Sequence, residues 1–181
     1  MIVKEPEGQL PLAPEGTFAA VCVDEVDLGE VTTSFNGNPN TRRMVRLVWQ
    51  LTELDKQNQP YFVRKDYTAS LHEKAGLRKT LEQWRGKAFT VDELRGFDLE
   101  NVVGVGCLVS VVHNTGSKGG LFANVAGVMR LPKGMTAPLA DGYLRSKDRP
   151  IAPQTLPPAQ SVVQPEPPPN FGGLTDDDVP F

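Results

Sequence analysis

Between residues 16 and 131 most apolar runs place their side chains at every second position, and one stretch places them three or four apart. Few architectures accommodate that order. Residues 16–28 carry Phe18, Val21, Val23 and Val26 among small and acidic residues, which predicts a first strand. In residues 43–54, Val45, Leu47, Trp49 and Leu51 share one side while Met44, Arg46, Val48 and Gln50 share the other, which predicts a second. The polar run from Asp55 to Pro60 is a hairpin turn by composition, and the aromatic and β-branched residues of 61–71 form a third strand antiparallel to the second. Leu77, Leu81 and Trp84 then set a helical period over residues 73–85, with Gly86 as its stop. Thr90 and Glu93 form a capping box that predicts a short helix at 91–95. Residues 102–113 and 121–131 are the fourth and fifth strands, joined by the Gly-rich turn 114–120.

A three-strand meander, a helix and a closing hairpin make the order of an oligonucleotide-binding (OB) fold, a small Greek-key barrel. The expected class is therefore mainly β: a five-stranded OB-fold barrel with a helix between strands 3 and 4. Closure would also remove exposed strand edges. An open α+β sandwich is the alternative. Trp49 and Trp84 lie on the apolar faces of their elements and belong to the core. Cys22 and Cys107 sit in apolar runs and read as free buried thiols. With only His72 and His113 beside them, no metal-ligand spacing arises, so no metal or other cofactor is expected. Gly104-Val-Gly106 lacks the third glycine of a dinucleotide loop, and no catalytic arrangement stands out, so the chain is not read as an enzyme.

The formal net charge of -3 is unevenly spread. All 19 Lys and Arg precede Pro150, and the segment 31–95 holds twelve bases against seven acids. The last 32 residues contain nine of the sixteen prolines, and their only charges are Glu166, Asp176, Asp177 and Asp178. This composition divides the chain into an N-terminal arm (1–13), a folded domain (14–134), a Pro-rich disordered linker (135–175) and an acidic tip (176–181). No apolar run is long enough for a membrane helix, so no membrane partner and a cytoplasmic location are expected.

The terminal Asp176-Asp177-Asp178-Val179-Pro180-Phe181 resembles the tip of bacterial single-stranded DNA-binding proteins. A Phe held by a preceding Pro beside a free carboxylate suits a basic-rimmed apolar pocket on a partner protein. The body resembles a family of phage-encoded single-stranded DNA-binding proteins through Arg46-Leu-Val-Trp49, Phe62-Val-Arg-Lys-Asp-Tyr-Thr68, Ser70-Leu-His-Glu-Lys74, Leu81-Glu-Gln-Trp-Arg-Gly86, Gly96-Phe-Asp-Leu99 and Val112-His-Asn114. The resemblance covers residues 14–134 and implies coating of single strands during replication, recombination or repair, with partner proteins recruited by the tip. The insertion at 72–101 departs from the common bacterial proteins, so their tetrameric assembly is not carried over and self-association stays open.

Coating a strand requires cations for phosphates and ring faces for bases. Arg42, Arg43, Arg46, Arg64 and Lys65 fall on the second and third strands or beside them, with Tyr61, Phe62 and Tyr67 interleaved. Tyr61 and Tyr67 share one face and Phe62 takes the other, so only one set can line a groove. Lys65 lies on the tyrosine face, which selects Tyr61 and Tyr67. Phe35, in a polar loop, and Lys118, in the last hairpin, complete the expected DNA contacts. Lys74, Arg78, Lys79, Arg85 and Lys87 around the helix read as a solvated face. The competing function is an OB-like adaptor of the replication machinery that binds little DNA itself; the near-neutral body favours it.

Overall fold

Each alternating run becomes a strand, and the one helical period becomes a helix. The computed structural model describes residues 11–35, 38–116, 119–138, 140 and 142–149, with backbone alone at 33–35 and 38. Over these residues the protein is mainly β. Strands β1 (Gly16–Phe35), β2 (Asn38–Leu54) and β3 (Pro60–Thr68) precede helices α1 (Gly76–Arg85) and α2 (Val91–Arg95), and strands β4 (Gly106–Thr115) and β5 (Leu121–Arg130) follow. The five strands form one antiparallel sheet in the order β3-β2-β1-β4-β5.

Five flat strands would hold the two edges about 19 Å apart. Yet Nζ of Lys65 on β3 donates to the carbonyl of Val125 on β5 at 2.8 Å. The sheet therefore curls until its edges lie within one lysine's reach, although β3 and β5 share no backbone ladder among the described residues. Curling encloses a core drawn from every strand, including Cys22, Leu47, Trp49, Val63, Val109 and Val128. Helix α1 adds Leu77, Leu81 and Trp84, all on one face and all buried. Trp84 meets Trp49 with ring centroids 6.2 Å apart, and its indole N–H is satisfied by the Gly106 carbonyl at 3.0 Å.

Local signals act as expected at several points. Gly86 closes α1 in the left-handed region, φ 69°, where glycine carries no Cβ penalty. Thr90 and Glu93 form the capping box reciprocally. Asp55 accepts the Gln57 and Gln59 amides at 2.8 and 2.9 Å and shapes the β2–β3 turn. Both cysteines are free and fully buried, and desolvation pushes the Cys22 thiol up to about 12.

Four boundaries differ from expectation. β1 runs on to Phe35 and β2 begins at Asn38, so residues 29–35 and 38–43 form a two-stranded ribbon that no third strand flanks among the described residues. With solvent on both sides, such a ribbon carries no alternation for the sequence to display. α1 starts at Gly76, after a turn in which the Ala75 amide bonds the His72 carbonyl. β4 starts at Gly106, because Leu99–Val102 is a 3-10 turn begun by the Asp98 side chain. Finally, the folded unit extends to Arg149 and not 134, since residues 142–149 pack on β1.

Lys65 was read as a groove cation, and its bond to Val125 gives it a second duty as a clamp between the two edges of the sheet. Lys65→Met keeps the aliphatic stem and removes the charge-assisted bond, so it is expected to lower stability by about 1.5–3 kcal/mol. A urea titration followed by tryptophan fluorescence would register the loss.

Candidate nucleic-acid interface

Antiparallel partners share a face, and that rule fixes where β3 points its side chains. Val45 opposes Tyr67 and Trp49 opposes Val63, so the Tyr67 ring goes inward with the core. It is only 5% exposed, and burial pushes its phenol up to about 12. The tyrosine face selected from sequence is thus the core face: Tyr67 offers no ring to a base, and Tyr61 is half-buried against the same core. The ammonium of Lys65 lies 5.5 Å from the Tyr67 ring centroid, and its stem runs out to β5.

Phe62, Arg64 and Asp66 take the opposite, outer face beside Arg46 and Val48 of β2. There they border an open trough of about 1170 Å³ between β3 and the β4–β5 hairpin. Arg46, Arg64 and Lys65 are its cations and Asp66 its one carboxylate among the described lining residues. The far wall is Leu121 and Phe122, exposed by 51% and 56%.

The cations are not equivalent. Arg46 grips Asp66 with two bonds, at 2.6 and 2.8 Å, which holds the Asp66 carboxyl below the usual range. Arg64 is exposed and makes no ion pair among the described residues, so it is the cation most ready for an incoming phosphate. Arg42 and Arg43 lie away from the trough on the ribbon, where Arg42 bonds Asn40 at 3.1 Å and Arg43 pairs with Asp27. The backbone of Phe35 pairs with Asn38 at the end of β1; its side chain, Lys118 and the tip Asp176, Asp177, Asp178, Val179, Pro180 and Phe181 lie outside the described residues. Around α1 and α2, Arg78 and Arg85 are engaged by Glu82 and Glu93.

Sequence reading missed Phe122 and the segment Gly142–Arg149. Phe122 follows a glycine pair at the mouth of the hairpin, and its inward neighbours Ala123 and Val125 give its parity away. The second segment, here termed the strap, crosses the outer face of β1. Its anchor is Asp24, fully buried, which accepts bonds from the Ser146 amide at 2.7 Å, the Tyr143 hydroxyl at 3.1 Å and Arg145 Nε at 3.3 Å. A β-bulge between Cys22 and Asp24 makes this possible, because the extra residue Val23 lets Asp24 oppose Val48 on the outer face. Arg145 and Lys147 also grip Glu100.

Burial alone would raise the Asp24 pKa, but the Ser146, Tyr143 and Arg145 donors outweigh it and hold the carboxyl below its usual range. The Arg145 and Lys147 bonds lower Glu100 to about 2. A depressed carboxylate pKa contributes stability that is complete above its unfolded value, about 4, and is lost as pH falls through the folded one. The strap is therefore expected to stay docked at neutral pH and to detach as pH drops from about 4 toward about 2. Protection of the Ser146 amide against hydrogen exchange should vanish over that window before the core amides open.

Among the described residues no group of three His, Cys, Asp or Glu is placed to hold a metal ion, and no helix is long and apolar enough to cross a membrane. No protein-family model and no curated protein matches the chain.

Proposed function

We propose that the chain is a non-sequence-specific single-stranded DNA-binding protein whose curled sheet is an OB-type barrel. One observation carries this reading: an open trough brings together the exposed ring of Phe122 and the half-buried ring of Phe62 with three cations and, among the described lining residues, one carboxylate. Cations attract phosphates regardless of sequence, and every base presents a π face to a ring. The strand order supports the barrel, since β1 pairs with both β2 and β4, and the helix falls between the third and fourth strands. The resemblance to phage-encoded proteins and the acidic tip support a role in replication, recombination or repair, with partner proteins recruited at Asp176–Phe181.

Fluorescence titration with oligothymidine at two salt concentrations tests it. Binding should weaken with salt at a slope near -0.7 per phosphate neutralised, and duplex of the same length should compete poorly. No binding at low salt would end the reading. The adaptor reading draws on the fact that Arg43 and Arg46 are already neutralised by Asp27 and Asp66. It expects oligothymidine to be ignored while removal of Phe181 abolishes recruitment of replication proteins.

A further inference from the structure

The strap carries four groups suited to nucleic acid: Tyr143, Arg145, Lys147 and Arg149. The charges of two of them are spent on docking, since Arg145 and Lys147 hold Asp24 and Glu100, and Tyr143 gives its hydroxyl but not its ring. The other two lie elsewhere. The Tyr143 ring sits 5.3 Å from that of Phe62, tilted by 39°, and the Arg149 guanidinium lies 5.5 Å from the Tyr143 centroid. Phe62 is itself a wall of the trough. A ring and a cation are therefore added just where the trough leaves β3.

The anchoring decides what this addition can do. Asp24 holds the Tyr143 hydroxyl directly and its flanking backbone through Ser146, so the ring is fixed before any ligand arrives. A ring so held loses little conformational freedom on stacking, which is the condition under which stacking contributes most to binding. Tyr143 is also only half-buried, so part of its surface remains open to solvent. The guanidinium of Arg149 is exposed, with Nε bonded to the Leu144 carbonyl at 3.0 Å.

Resting on the single-strand reading above, we propose that the strap is the second half of the binding surface, with Tyr143 as a base-stacking platform and Arg149 as a phosphate contact. The strand then runs from Phe122 across Phe62 to Tyr143. The strap is thereby a positioned wall of the site and not a spacer leading to the tail.

Oligothymidine of about 16 nucleotides, the upper site size for one OB fold, is the probe. Tyr143→Leu removes the ring and leaves Arg145 and the Ser146 amide to hold the strap, so affinity should fall about 5- to 150-fold, the range a lost stacking contact spans. Tyr143→Phe keeps the ring and loses only its tether to Asp24, so its loss of affinity should be smaller than that of Tyr143→Leu. Arg149→Gln should flatten the salt dependence by about 0.7. Wild-type binding that Tyr143→Leu leaves unchanged overturns the strap's role while sparing the trough. A gain in affinity in Tyr143→Leu also overturns it, and marks the strap as a cover. An equal loss in Tyr143→Phe assigns Tyr143 to bracing alone and overturns the stacking role. Failure of the wild-type protein to bind overturns the trough reading, and this one with it.

Discussion

Phe122→Ala combined with Arg64→Glu is expected to weaken oligothymidine binding by about a hundredfold or more. A lost stack contributes ~1–3 kcal/mol, and each 1.4 kcal/mol is about tenfold. Reversing the one unpaired arginine of the trough adds repulsion against phosphate where there was attraction. Both side chains are exposed, so the fold should not notice: Phe122 is 56% open, and Arg64 makes no ion pair among the described residues. Surface changes of this kind move stability by about 0.5 kcal/mol or less. A loss of binding with an unchanged urea midpoint is the predicted pair of results. Unchanged binding would show that nucleic acid, if it binds, avoids the trough.

The largest effect on stability should come from Trp49→Ala. Trp49 is wholly buried and packs against Trp84, joining β2 to the helix that covers the core. Removing so large a buried ring costs about 3–5 kcal/mol, against a total stability of about 5–15 kcal/mol for a domain of ordinary size. The variant should unfold at a far lower urea concentration than Lys65→Met, which loses one bond at the rim. A midpoint shift for Trp49→Ala no larger than that of Lys65→Met would mean that the core collapses readily around the gap.

The fold was more legible than the site, and the reasons are physical. Alternation on β2 set Val45, Leu47, Trp49 and Leu51 against the core because they share one face, while the opposite face carries the polar Arg46 and Gln50 and buries only Val48 among its apolar side chains, in a small second cluster with Val21 and Val23. The same logic could have oriented β3: pairing places Tyr67 opposite Val45, so an inward Val45 requires an inward Tyr67. What misled was Lys65, taken as a sign of solvent. A lysine can run its stem along an apolar surface and release its charge at the edge, as this one does toward Val125. Charge therefore did not mark the outer face.

The strap was hidden for a different reason. It docks through a buried carboxylate, a backbone amide and ion pairs, and such contacts leave no periodic trace in a sequence. Its prolonged contact with β1 also depends on the bulge at Val23, and a bulge breaks the odd–even rule on which strand reading relies. Phe122 was overlooked because a lone ring beside a Gly-rich turn belongs to no periodic set of apolar residues; in the fold it lies over Gly116 and Gly120, which carry no side chain to signal the contact.

β1 itself spans two regimes of persistence. Near Ala20 and Val21 its backbone is bonded on both flanks, to β2 and to β4, whereas from Gly29 onward it has only the returning strand beside it. An isolated two-stranded ribbon is marginal in water, so the amides of 29–35 should trade their protons for deuterium within the shortest exposure, while those of 20–22 wait for the whole domain to open. A single continuous strand would thus hold both fast-labelling and slow-labelling amides.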